Sequence, residues 1–449
     1  MQDDDMDYHL DDIDQKLKDN KQNKCPKIVF LLVLCCIIIL GLIAALVVIL
    51  LKLNEKEDEL NKINKDKDKN KDEDKNKKKE EIQDDYSINY DFYGTKYINL
   101  SYAIDKKIEN TFKENGTNYN QSREAINNNE DYISNDRNIY DLYIPQYALE
   151  NINNYNGIIL WIDGGAWVQG RKEDMNPLIR FYIQNGYIIA NMGYTLLNST
   201  YKNANIYRIL DEIRACVESI KNKLKDLNFT VTKLGLGIGG ASAGAHIALL
   251  YSYLMKKSPI PIKFIIDIVG PIGLDPKYFS HLKNNNEPLD SIENITVIQK
   301  ALENNKIIEN KGSKFLLELM NAFLDNNYSK EFINSILVNG QINKNNSNYT
   351  ELLNKVKFAD IFYVNDENKC PMICFYGGKD SIAGLSHFAY LNERAKGERI
   401  IKFIYSKFAG HAVLTYDNST KETEEDGKNA VKMFNYYIYD FAKTYFKED

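Results

Sequence analysis

The sequence predicts an α/β fold, a mostly parallel β-sheet with helices on both faces and a helical cap insertion, preceded by one transmembrane helix. Three observations predict it. Short apolar runs, each of strand length, alternate with helical patterns from residue 139 onward. A continuous apolar run, Ile28 to Leu51, carries no charge and is long enough to cross a bilayer. A Gly-x-Ser-x-Gly, Gly240-Ala241-Ser242-Ala243-Gly244, stands between a strand pattern and a helix pattern.

Composition bounds the rest. The chain has 449 residues and is 44% hydrophobic, enough for a sizeable core, and its net charge of −6 carries no basic signature for nucleic acid. Six cysteines make no disulfide scaffold. Cys35 and Cys36 lie in the apolar run and Cys25 just before it; Cys216 is on a helical pattern; Cys370 and Cys374 are too far apart along an extended strand to bond each other. No Cys/His cluster has metal spacing; neither a metal nor an organic cofactor is expected.

Taken in order, residues 1–27 form a tail in which Lys16, Lys18, Lys21, Lys24 and Lys27 face few nearby acids, whereas Lys52 and Lys56 beyond the span are mixed with Glu55, Glu57, Asp58 and Glu59. The positive-inside rule places the N-terminus in the cytoplasm and the rest of a single-pass protein outside it. Residues 52–85, almost only Lys, Asp, Glu and Asn, read as a solvated stalk. Residues 86–449 read as one domain. Its strands are expected at Ile139–Ile144, Ile158–Ile162, Ile188–Met192, Leu234–Ile238, Phe264–Val269, Met372–Tyr376 and Ile400–Tyr405. Helices are expected at Ile206–Leu227, Ala245–Met255, Ala383–Lys396 and Lys428–Phe446. From about 271 to 369 only helical and polar segments follow one another, the pattern of an inserted helical cap.

A serine works as a nucleophile only with a base, a group that orients the base, and donors for the oxyanion. In open α/β sheets such groups collect at the C-terminal ends of strands. Ser242 sits at such an end. Of the five histidines, His411 alone follows a strand late in the chain, in the loop Phe408-Ala409-Gly410-His411. His9 precedes the span, His246 is on the helix after Ser242 and reads as structural, His281 falls in the cap and reads as a surface residue, and His387 is on a predicted helix. Asp380, in Tyr376-Gly377-Gly378-Lys379-Asp380, ends a strand and is the expected acid; it could equally cap the next helix. The rival, Asp267, lies inside an apolar run. Gly164 and Gly165 follow the strand Ile158–Ile162 and offer backbone donors. One decoy, Gly235-Leu236-Gly237-Ile238-Gly239-Gly240, matches a dinucleotide pattern but overlaps the strand itself and lacks the acid about twenty residues on.

These residues resemble the α/β-hydrolase superfamily, and most closely its esterase and lipase branch of hormone-sensitive-lipase-like and feruloyl-esterase-like carboxylesterases. The resemblance spans roughly Ile139 to Phe446 apart from the insert. Ile139-Tyr140-Asp141-Leu142-Tyr143-Ile144-Pro145 looks like the family's opening strand, Asp163-Gly164-Gly165-Ala166-Trp167 like its His-Gly-Gly oxyanion motif, Asn191-Met192-Gly193-Tyr194-Thr195-Leu196 like its Tyr-Arg-Leu segment, and the elbow extended by Ala245-His246 is similar throughout. Asp163 stands in place of the usual histidine and Thr195 in place of the usual arginine.

The resemblance implies a serine carboxylesterase with Ser242, Asp380 and His411 as triad, Gly164, Gly165 and Ala243 as oxyanion donors, and Trp167 lining the substrate pocket. Its substrate would be a small-molecule or lipid ester, its membrane contact residues 28–51, and it would need no nucleic acid. Two alternatives stand beside it: a peptidase, amidase or thioesterase of the same fold, and a non-catalytic hydrolase-fold protein used for binding or adhesion.

Overall fold

The computed structural model describes residues 94–104, 136–153, 155–173, 177–197, 204–230, 234–255, 257–283, 289, 294–309, 312–359, 370–394, 401–411 and 420–446. The expected tail, transmembrane helix and stalk, residues 1–85, lie outside them. Among the described residues, no helix is long and apolar enough to cross a membrane.

Eight strands form the main sheet: β1 (Gly94–Ser101), β2 (Ile139–Pro145), β3 (Ile158–Ile162), β4 (Ile188–Met192), β5 (Leu236–Ala241), β6 (Ile262–Ile268), then β11 (Met372–Gly377) and β12 (Ile401–Ser406). Their spatial order is β1-β2-β4-β3-β5-β6-β11-β12. β1, β2 and β4 pair antiparallel; every pair from β4 to β12 is parallel. The parallel strands are covered on both faces, so β3 and β4 are buried at every residue and read as apolar runs, interrupted only by Asn191 in β4.

The helices follow from side-chain spacing and caps. They are α1 (Gln146–Glu150), α2 (Pro177–Gln184), α3 (Ile206–Asp226), α4 (Ala243–Leu254), α5 (Ile295–Glu303), α6 (Lys314–Phe323), α7 (Lys330–Ser335), α8 (Ser347–Lys355), α9 (Leu385–Arg394) and α10 (Lys421–Tyr445). In α3, Ile206, Ile209, Ile213, Val217, Ile220 and Leu224 recur on one buried face, and the Asn205 side chain accepts from the Arg208 amide to cap the start. In α4 every residue is buried; it runs behind the elbow against the sheet. A capping box at Thr420 and Thr423 starts α10.

All seven expected strands are present, Ile158–Ile162 and Ile188–Met192 with the expected ends and the other five with shifted ones. The strand expected at Leu234–Ile238 runs instead from Leu236 to Ala241, so Gly239 and Gly240 belong to the strand and not to a turn. The insert is not purely helical. Besides α5 to α8 it holds two small antiparallel pairs, β7 (Ser280–Leu282) with β8 (Ile307–Glu309) and β9 (Leu337–Val338) with β10 (Gln341–Ile342). Strands of two or three residues are too short to leave a period-two pattern in the sequence.

Candidate active site

β5 delivers the chain into α4 through Ser242, whose backbone sits at φ 53 and ψ −122, a conformation L-residues adopt under strain. The flanking glycines are dictated by a neighbour. A Cβ on Gly240 would lie 2.2 Å from the carbonyl oxygen of Ile162, and one on Gly244 would lie 2.0 Å from it. The end of β3 is pressed onto the elbow from both sides, and only two glycines admit it. The Ser242 amide donates to Ile268 O (2.8 Å), and Ser242 O accepts the first helical bond from His246 (3.1 Å).

His411 arrives from the loop after β12. Its Nδ1 lies 2.9 Å from Asp380 Oδ2 and its Nε2 2.8 Å from Ser242 Oγ. A carboxylate only accepts, so Nδ1 carries the hydrogen and the Nε2 lone pair faces the Ser242 hydroxyl. Asp380 bonds both to the turn that follows it and to the imidazole. Oδ1 accepts from the amides of Ile382 (2.8 Å) and Ala383 (3.0 Å), closing the turn before α9, while Oδ2 holds the imidazole. The carboxylate is 1% exposed and the imidazole 22%, so the acid is shielded while the base is within reach of solvent. The two loops are stitched together by Gly378 N–H to Ser406 O (2.8 Å) and Lys379 N–H to Ala409 O (2.9 Å). Asp426 of α10 braces the histidine loop, accepting from Ser406 Oγ (2.7 Å) and the Phe408 amide (3.1 Å).

The glycine loop after β3 passes directly over the elbow. A Cβ on Gly164 would be 2.7 Å from Ala241 O and 3.3 Å from Ser242 Cβ. Among the described residues, the amides of Gly164, Gly165 and Ala243 donate to no protein acceptor. Ala166 and Trp167 continue at φ 51 and 62, left-handed turns that their residue types do not announce. Arg137 ties this loop to its neighbour, donating through Nε to Tyr194 O and through Nη2 to Gly170 O, each at 2.7 Å. Thr195, standing where the family has arginine, is held by Glu212: its amide donates to Oε2 (2.8 Å) and its hydroxyl to Oε1. Glu212 also binds a buried guanidinium from α3, with Arg208 Nε 2.9 Å from Oε1. Neither Arg137 nor Asp426 has a sequence signal; each acts only once its neighbours in the fold have packed.

Trp167 is buried between the elbow helix and the insert, edge-to-face with His246 (5.2 Å) and with Phe323 of α6 (5.3 Å). His246 is structural, as expected: its Nε2–H donates to Ala359 O (2.7 Å), and burial pushes its pKa down to about 4. His387 is fully buried on α9, accepts from the Ile272 amide through Nδ1 (3.2 Å), and is pushed down to about 3, chiefly by burial. His281 is partly buried on β7. His9 lies outside the described residues.

Asp163 is buried, and its Oδ1 accepts from the Trp161 indole N–H at 3.1 Å, while its carbonyl accepts from Tyr194 Oη (3.3 Å). An indole from the same strand end thus holds the Asp163 carboxylate. Asp163→Ala should strand that buried donor and cost about 1–3 kcal/mol in denaturant unfolding. Asp163→Asn, which keeps an acceptor, should cost less and change turnover by less than about tenfold. A rise of tenfold or more would make Asp163 an electrostatic brake on the oxyanion loop.

The BD-FAE family model matches residues 140–394, more than half of the chain. That span holds Gly164, Ser242 and Asp380 and ends before His411. No curated protein matches. Solved structures resembling the chain include a truncated carbohydrate esterase from gut microbiota (TM-score 0.48, 12% identical, 80% of this chain and 98% of that one). Carboxyl esterase 2 from the mycorrhizal fungus Tuber melanosporum gives a TM-score of 0.42 at 16% identity over 68% of this chain and 82% of its own. A hyperthermophilic esterase from the archaeon Pyrobaculum calidifontis gives 0.41 at 12% identity over 67% and 81%.

Proposed function

The chain belongs to the BD-FAE family of α/β-hydrolase-like esterases, and from that premise we propose that it is a membrane-anchored serine hydrolase that cleaves carboxylic esters through Ser242, His411 and Asp380. One observation carries the assignment: Ser242, strained at φ 53, presents Oγ 2.8 Å from His411 Nε2. Ser242 Oγ attacks the acyl carbon as its proton passes to Nε2. Asp380 keeps the hydrogen on Nδ1 and stabilises the imidazolium. The amides of Gly164, Gly165 and Ala243 receive the oxyanion; Ala243, the first residue of α4, adds the positive end of a helix. Nε2–H then protonates the leaving alcohol. Water, with His411 again as base, releases the acid from the acyl-enzyme. Trp167 would shape the substrate pocket through its contact with Phe323 of the insert. A panel of acyl p-nitrophenyl esters tests the reading; hydrolysis of amides or thioesters in preference to all esters would overturn it.

The anchor is part of the same proposal. Residues 28–51 would cross the membrane with the N-terminus cytoplasmic, and residues 52–85 would hold the catalytic domain off the outer surface. The stalk shares no apolar pattern with the domain, so a chain starting at Tyr86 is expected to stay in the supernatant and retain esterase activity. Sedimentation of that chain with membranes would contradict this.

A further inference from the structure

A second acid, Asp267, is fully buried near the end of β6, in register with Gly240 two residues before the nucleophile. The Ser242 amide donates to the next residue's carbonyl, Ile268 O. The chain then leaves β6 through Val269 at φ 46, a strained conformation for a β-branched residue. Asp267 closes this turn, its Oδ1 accepting from the Gly270 amide at 2.8 Å. A Cβ on Gly270 would lie 2.5 Å from Asp267 Oδ1 and 2.8 Å from Ala245 Cβ, so the turn is wedged against the first turn of α4.

Beside Asp267, one tyrosine proton stands between two oxygens. Tyr376 Oη lies 2.6 Å from Gly270 O and 2.9 Å from Asp267 Oδ2. A tyrosine hydroxyl has one proton, and a carbonyl can only accept. The shorter contact takes the tyrosine proton. The longer one is closed by a proton on Asp267 when the acid is neutral, and by sharing the tyrosine proton when it is ionised. The groups that face Asp267 are Tyr376 and the Cys374 thiol on β11, the Gly270 amide, and the first turn of α4; no cation is among them in the described residues. Burial pushes Asp267 up to about 7.

We propose that Asp267 is a positioning residue that works as a neutral acid: protonated, it donates to Tyr376 and holds the Val269 turn on which Ser242 rests, and losing that proton loosens the nucleophile. This rests on Ser242 being the nucleophile. The linkage has a definite sign. Because the folded pKa lies above the usual 3.8, the stabilisation is full below about 3.8 and is lost as pH rises through about 7.

The test uses the full chain in detergent. Asp267→Asn imitates the protonated acid, since its Oδ1 can accept from Gly270 and its amide can donate to Tyr376, but it cannot titrate. Infrared difference spectra between wild type and this variant should show a protonated-carboxyl C=O band at pH 5 that fades as pH passes about 7. The wild-type kcat should fall at least about threefold between pH 7 and 9, a step the variant lacks. Tyr376→Phe should move the band to higher frequency by removing the acid's acceptor, and this keeps the test open where Asp267→Asn fails to fold. Ser242→Ala should retain the band even if Ser242 is not the nucleophile, so the two readings fail separately. Absence of the band, or the same alkaline step in Asp267→Asn, would overturn the proposal.

Discussion

Ser242→Ala is expected to lower kcat toward short acyl esters by about a million-fold, with no loss of fold. The change removes one oxygen. Alanine meets the same backbone strain at φ 53 that serine already bears, and the Ser242 amide keeps its bond to Ile268 O. His411 loses the hydroxyl at Nε2 but keeps Asp380 at Nδ1. What remains is the oxyanion loop and binding alone, which elsewhere give only a small residue of catalysis. Initial rates alongside circular dichroism and thermal melts check this. A folded variant that retains more than about a hundredth of wild-type kcat would mean that another group attacks the ester.

Asp380→Asn should cost about four orders of magnitude in kcat. The asparagine can keep its Oδ1 toward the Ile382 and Ala383 amides, so the turn survives. Its NH2 then faces His411 Nδ1, where two donors cannot meet. The imidazole must switch tautomer and present Nε2–H to Ser242, which leaves no base for the serine proton. The contrast with Asp267 is sharp. That carboxyl bonds Gly270 and Tyr376, so Asp267→Asn should leave the tautomer of His411 untouched. A folded Asp267→Asn that loses thousands-fold in kcat across the whole pH range, beside an active Asp380→Asn, would exchange the two acids.

Much of this was legible in the sequence because parallel strands buried on both faces write themselves as apolar runs, as at Ile158–Ile162 and Ile188–Met192. β1 was not legible: it is an edge strand, largely exposed or half-buried, and its Gly-Thr-Lys-Tyr reads as loop. The end of β5 was misplaced because glycine usually signals a turn. Here Gly239 lies in the strand, where a Cβ would be 2.5 Å from Ile266 Cβ; the glycines mark close approach and not chain reversal. Ser242, Asp380 and His411 could be chosen because each follows its own strand. The side chains that hold their loops could not. Arg137 meets Gly170 and Tyr194 only after loops far apart in sequence have docked, and Asp426 meets the amide of Phe408 only once the first turns of α10 pack on the histidine loop. The double use of Asp380, one oxygen for the turn and one for the imidazole, was likewise visible only as two competing readings until both sets of bonds could be seen together.

The central claim is that Ser242 is a nucleophile activated by His411. Its most direct test is fluorophosphonate labelling of the full-length chain, followed by peptide mass spectrometry. The account predicts one adduct, on the peptide carrying Ser242, absent from Ser242→Ala and strongly slowed in Asp380→Asn. Labelling that persists undiminished in Ser242→Ala, or an adduct on a different serine, would contradict it.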